Sequence, residues 1–258
     1  MYVDHMSAQA LGITRAWPSI NLPGYRDHPI DFATYSAFDY GGLPPIEREL
    51  DDQLAWLLAE PEVEYSLAGG HMYAGEPVRP ATGVQLDALT TRLDVRLPPA
   101  FERFIRKPKA RARVRSCTAC YLDLGDFPVS VTAHGCLLHF LSDQQWMNHW
   151  LLYLERDGTE AVVSTYPPYA FALGAADDEP EWASDFDPTA SDRFVPGATQ
   201  SMVCADSFSE FLYRFWIENE IWYQLSDPDK SPHDLTPEQQ RYVDHYRQDS
   251  GHQPSQAS

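Results

Sequence analysis

The chain has 258 residues, 43% of them hydrophobic and 13% aromatic, a composition that supports a packed core and excludes global disorder. Nineteen Lys and Arg against 38 Asp and Glu leave a net charge of −19, which repels nucleic acid and anionic membranes and attracts basic partners. No stretch approaches the roughly 18 consecutive apolar residues of a membrane span, Asp4 stands where a signal peptide carries basic residues, and four cysteines are too few for a disulfide framework, so the expected setting is the reducing cytoplasm.

Residues 1–43 carry Pro, Gly and Tyr without a clear period and read as an irregular arm. Pro44-Pro45 opens a predicted helix with Ile46, Leu50, Leu54, Leu57 and Leu58 on one face, stopped by Pro61. The glycine- and proline-rich stretch 66–83 reads as a loop and places a module boundary near residue 83. Leu86, Leu89 and Leu93 then predict a helix. After Pro98-Pro99 a second, short one follows, with Phe101, Phe104 and Ile105 on one face. Tyr121–Leu124, Cys136–Leu141, Trp150–Leu154 and Ala161–Ser164 read as strands, the last two joined at Arg156-Asp157-Gly158 as a hairpin.

Residues 174–193 form a long acidic loop. Ser207 with Glu210 matches a capping box. It opens a long helix in which Phe208, Phe211, Leu212, Phe215, Trp222 and Leu225 make the apolar stripe. Glu218 and Glu220 are expected in solvent. Thr236, Pro237 and Gln239 start a final helix to about Arg247, before a polar tail. Helices, then strands, then helices predict an α+β fold with a mostly antiparallel sheet and flanking helices. The expected organisation is an N-terminal extension with one helix (1–83), an α+β domain (84–230) and a C-terminal helix with its tail (231–258).

The region from about 84 to 225 resembles the SUKH superfamily. Three pieces carry the resemblance: the LxVxLPxxFxxFI stretch from Leu93 to Ile105, the stretch LHFLSDQQWMNHWLLYLERDG at 138–158, and CADSFSEFLYRFWIENEIWYQL at 204–225. Where members of that family carry a small, glycine-containing turn after the first piece, this chain carries a basic run, 106–115. The resemblance implies a compact sheet with flanking helices and a non-catalytic, cofactor-free, protein-binding role. Bacterial members are immunity proteins that block a cognate toxin, and fungal relatives regulate cell-wall synthesis.

Four constellations are candidates for function. The acidic loop, with Asp177, Asp178, Glu179, Glu181, Asp185 and Asp187 beside Trp182 and Phe186, has the charge to enter a basic cleft and the aromatics to anchor there. Its plainer reading is a solvated segment. Cys117 and Cys120 form a CxxC, with His134 and Cys136 downstream. Thiolates and imidazoles at such spacing can hold zinc in a tetrahedron, but a second CxxC is missing, and small core cysteines are the competing reading.

The run 106–115 holds six of the 19 basic residues and lacks interleaved aromatics. It reads as a loop that is solvated or pairs with the protein's own acidic segment. His139, His149 and Asp143 have acid–base chemistry but no accompanying nucleophile or phosphate-loop motif. The expected function is therefore a module that binds another protein, a basic toxin domain, without nucleic acid, membrane or cofactor. The alternatives are a regulatory scaffold of the same fold and a zinc protein or enzyme using Cys117, Cys120, His134 and Cys136.

Overall fold

A computed structural model describes residues 13–26, 35–69, 71–73, 76–78, 83–91, 95–124, 129–130, 135–145, 147–165 and 201–249. In chain order the elements are β1 (Thr14–Ser19), β2 (Ser36–Asp39), α1 (Ala55–Leu58), β3 (His71–Tyr73), β4 (Glu76–Val78), α2 (Gly83–Thr90), α3 (Pro99–Arg106) and α4 (Pro108–Arg111). There follow β5 (Tyr121–Leu122), β6 (Val129–Ser130), β7 (Gly135–Ser142), β8 (His149–Glu155), β9 (Glu160–Thr165), β10 (Ser201–Ala205), α5 (Phe208–Ser226) and α6 (Pro237–Asp249). The main sheet runs β2-β1-β10-β9-β8-β7-β5, with β6 also on β7. Its pairings are antiparallel except β1 with β10. The fold is α+β, with flanking helices on a mostly antiparallel mixed sheet.

The four predicted strands are β5, β7, β8 and β9, and Gly158 turns the β8–β9 hairpin at a φ of +93°. The two predicted helix starts hold as well. Ser207 Oγ accepts the Glu210 N–H at 3.1 Å, and Thr236 and Gln239 bond reciprocally at 3.2 and 2.9 Å.

Two readings are overturned. The irregular arm contains β1 and β2, which extend the sheet and bring Trp17, Ile20 and Leu22 into the main core. The helix predicted over 44–58 shrinks to Ala55–Leu58. Asp51 is the reason, because its carboxylate accepts the N–H groups of Gln53 at 2.7 Å and Ala55 at 3.1 Å. A helix therefore starts there rather than passing through. Leu54 at the junction takes a left-handed φ of 55° yet is fully buried, so the apolar residues pack without forming the long helix. The 66–83 loop also carries the β3–β4 hairpin.

One irregularity shapes the site. The β7–β8 register shifts between His139 and Leu141. Alternation would put residues 139 and 142 on opposite faces. The extra residue turns Phe140 and Leu141 both toward the helix-side core and leaves His139 and Ser142 on the other face, with Leu151. On the helix side, Phe208 of α5 packs against Phe101 at 5.0 Å, Phe104 at 5.7 Å and Phe140 at 5.7 Å between ring centroids.

Candidate functional site

The acidic residues Asp177, Asp178, Glu179, Glu181, Asp185 and Asp187, with Trp182 and Phe186, lie outside the described residues, as does His134. Of the cysteine set, Cys120 is buried and Cys117 and Cys136 pack half-buried against the core. All four cysteines are free. Burial pushes the Cys120 thiol up to about 11 and raises Cys117 and Cys136 as well, so these sulfurs are protonated thiols at neutral pH. Among the described residues, no three His, Cys, Asp or Glu side chains gather as a metal site requires.

The arginines of the basic run bond to the protein's own groups, while Lys107 and Lys109 are exposed. Arg106 binds Asp87 at 2.6 Å and Glu102 at 2.9 Å, and Arg115 grips both oxygens of Glu220 at 2.9 and 2.8 Å. Arg113 reaches Glu62 at 3.4 Å. Arg111 is buried and donates to the carbonyls of Phe104 and Ile105, the negative end of α3. The arginines of the run are therefore tied into the protein's own structure, while its two lysines stay in solvent. The run is not the expected loop, since it carries α4; the acidic segment 174–193 lies outside the described residues, and the acids that meet the run among the described ones are Asp87, Glu102, Glu62 and Glu220.

The structure separates the three acid–base candidates and adds a serine. Asp143 holds a turn, its Oδ1 accepting the N–H groups of Met147 at 2.7 Å and Asn148 at 3.1 Å. His139 and His149 instead flank Ser142, whose Oγ lies 2.9 Å from His139 Nε2 and 2.9 Å from His149 Nδ1. One hydroxyl proton cannot serve two ring nitrogens. His139 Nε2 is also 3.2 Å from the Leu141 carbonyl, which only accepts, so that nitrogen carries a proton and Ser142 donates to His149.

Burial drives the His139 imidazole down to about 4, against a smaller raising effect of the Leu141 carbonyl. Asp123 is 3.9 Å from its Nδ1, a neighbour of a neutral ring rather than half of an ion pair. Ser142 and His149 are fully buried, which puts the hydroxyl out of reach of a substrate in this conformation.

A second buried cluster was missed on sequence. Glu218, expected in solvent, is 2% exposed. Its two oxygens accept Arg26 Nη1 and Nη2, each at 2.7 Å, Trp17 Nε1 at 2.9 Å and the Tyr242 hydroxyl at 2.9 Å. Arg26 also donates to the Tyr246 hydroxyl at 2.6 Å and the Ile20 carbonyl at 3.0 Å. Burial alone would lower the Arg26 guanidinium, but the Glu218 charge and hydrogen bonds raise it overall. Glu220 is not freely solvated either, since it clamps Arg115. A signal for Glu218 existed: residues 211, 215, 218 and 222 step by four, three and four, so Glu218 stands inside the apolar stripe. Trp222, expected in the core, is half-buried at its edge.

No family model, curated protein or solved structure matches the chain. Among the described residues no helix is long and apolar enough to cross a membrane.

Proposed function

We propose that this chain is a non-catalytic protein-binding module of the SUKH type, a cytoplasmic immunity protein that neutralises a basic toxin domain by covering it. One observation carries the reading. Among the described residues, ten of the chain's 19 basic side chains sit within ion-pair distance of the protein's own carboxylates: Arg15, Arg26, Arg48, Arg106, Arg113, Arg115, Arg214, Lys230, Arg241 and Arg247. Each pair cancels, and of the 106–115 run only Lys107 and Lys109 are exposed without such a partner among the described residues, against a chain excess of 19 acids. Such a field speeds encounter with a cationic partner and repels nucleic acid. The family part is supported by the meeting of the three resembling stretches in one core, through Phe101 and Phe104 of α3, Phe140 of β7 and Phe208 of α5. Asp177, Asp178, Glu179, Glu181, Asp185 and Asp187, with Trp182 and Phe186, are the proposed contact.

The test is capture by the tagged chain from its own lysate at low and high salt, with mass-spectrometric identification. Co-expression of the captured protein with and without the chain follows. A single basic protein, released by salt and toxic only when expressed alone, is the expected result. Recovery of several housekeeping or envelope proteins sinks the immunity reading and favours the regulatory scaffold.

A further inference from the structure

The second half of the aromatic α5 helix lies near a surface segment at residues 61–66. Residues 61–66 run beside 112–116. The Val63 N–H donates to the Ala112 carbonyl and the Leu67 N–H to the Val114 carbonyl, both at 2.8 Å, so the segment is fastened at two points. Between them Tyr65 is 83% exposed, one of two large hydrophobic side chains left in solvent among the described residues. Its φ of 57° lies in the left-handed region, which glycine adopts freely and tyrosine does not. The residue is strained and buries little of its ring in return, so the fold itself gains nothing from a tyrosine there.

What surrounds it is rigid and aromatic. Tyr223 is pinned by a 3.2 Å hydrogen bond from its hydroxyl to the Ser116 carbonyl, and the Arg115 guanidinium stacks 3.9 Å from its ring centroid. Trp222 packs edge-on against Tyr223 at 5.1 Å. Ser66, the residue after Tyr65, forms a β-bridge with Arg115, whose guanidinium stacks on Tyr223, and this bridge brings the Tyr65 segment to the end of α5. Tyr, Trp and Arg are the residue types in which interface energy concentrates. Arg115 is neutralised by Glu220 and Arg113 by Glu62, which leaves the exposed Glu64 carboxylate, next to Tyr65, as the net negative charge of an aromatic patch.

We propose that Tyr65, Tyr223 and Trp222 form a docking platform for a cationic segment of a protein partner, with an arginine or lysine of that segment lying over the open face of Tyr65 and its charge met by Glu64. The proposal rests on the binding-module reading and adds to it a second contact, away from residues 174–193.

A short arginine-rich peptide, titrated into the full chain at low salt and followed by amide and indole chemical shifts, is the probe. Thermal melts of each variant are recorded alongside. The wild-type chain is expected to bind the peptide with shifts centred on residues 62–65, 222 and 223. Tyr65→Gly is expected to bind at least tenfold more weakly while melting at the same or a higher temperature, since glycine relieves the strained φ. Tyr65→Phe keeps the ring and the binding, and Val84→Ala, at the other exposed apolar position, changes nothing. Absence of peptide binding, or equal binding by Tyr65→Gly and by Glu64→Gln, overturns the platform. So does a dimer of this chain that Tyr65→Gly dissolves in sedimentation, because the occupant is then a second copy. If the peptide binds at Tyr65 while lysate capture yields no basic toxin, the immunity reading fails and the platform stands.

Discussion

Two polar clusters are buried on opposite faces of the sheet, and they answer the loss of water in opposite ways. On the helix side, Arg26 and Glu218 form a buried ion pair through both guanidinium Nη atoms, with Trp17 and Tyr242 donating to Glu218 and Tyr246 accepting from Arg26. On the other side, the His139 ring stays neutral and Ser142 links it to His149 through hydrogen bonds. The difference lies in what each cluster joins. The charged cluster ties an N-terminal strand to α5 and α6, segments that are neighbours only in the finished fold. The neutral cluster joins residues of one hairpin, which the β-bulge brings to the same face. A charged pair reaches across sequence because each partner alone is intolerable in the interior. A neutral cluster asks for less and holds less.

Breaking the charged cluster should have the largest effect. Glu218→Ala leaves the Arg26 guanidinium buried, with only the Tyr246 hydroxyl and the Ile20 carbonyl to receive it. It is expected to cost about 3–5 kcal/mol, read as a lowered urea midpoint. Arg26→Met with Glu218→Leu removes both charges, and the double variant should be more stable than Glu218→Ala alone. If the double variant is no better than the single, the pair is not a mutual requirement and the contrast with the histidine cluster collapses.

The neutral cluster should show itself through pH. The folded-state value of His139 is about 4, below its ordinary 6.5. Between those two values the unfolded chain takes up a proton that the folded chain refuses, so stability is retained at neutral pH and falls as pH drops through the window. At its bottom the loss attributable to His139 reaches about 3 kcal/mol. Denaturation midpoints of the wild-type chain and His139→Gln at pH 7 and pH 4 measure it. A wild-type midpoint that falls no further than the variant's would mean that His139 is hydrated and ionises normally.

How much of this could be seen in the sequence follows the same division between local and distant. The β8–β9 turn at Gly158, the Thr236–Gln239 box and the stripe of α5 depend on residues within a few positions of each other, and all were legible. β1 was not, because its parallel partner β10 lies near the other end of the chain and its burial pattern lacks alternation. The helix from Pro44 failed because one carboxylate, Asp51, outweighed a correct apolar spacing. At the candidate site, His139 and His149 were picked by residue type. Their link through Ser142 depends on a one-residue bulge that no spacing rule announces. Glu218 was misplaced by treating its charge as decisive, when its position in the stripe already put it in the interior.

Ser142→Ala measures the neutral cluster directly and should have the smallest effect of the three. The substitution takes away one hydroxyl, leaving His139 Nε2–H its 3.2 Å bond to the Leu141 carbonyl while His149 Nδ1 loses the donor it has from Ser142. No charge is stranded, so the cost is that of an imperfectly satisfied neutral acceptor, about 1–2 kcal/mol. The pH window should survive, because it arises from the burial of the His139 ring rather than from the serine. A loss as large as that of Glu218→Ala would require one of the imidazoles to be charged in the folded protein. The tautomers assigned from the Leu141 contact would then be wrong, and the two faces of the sheet would share one solution to burying polar groups instead of using two.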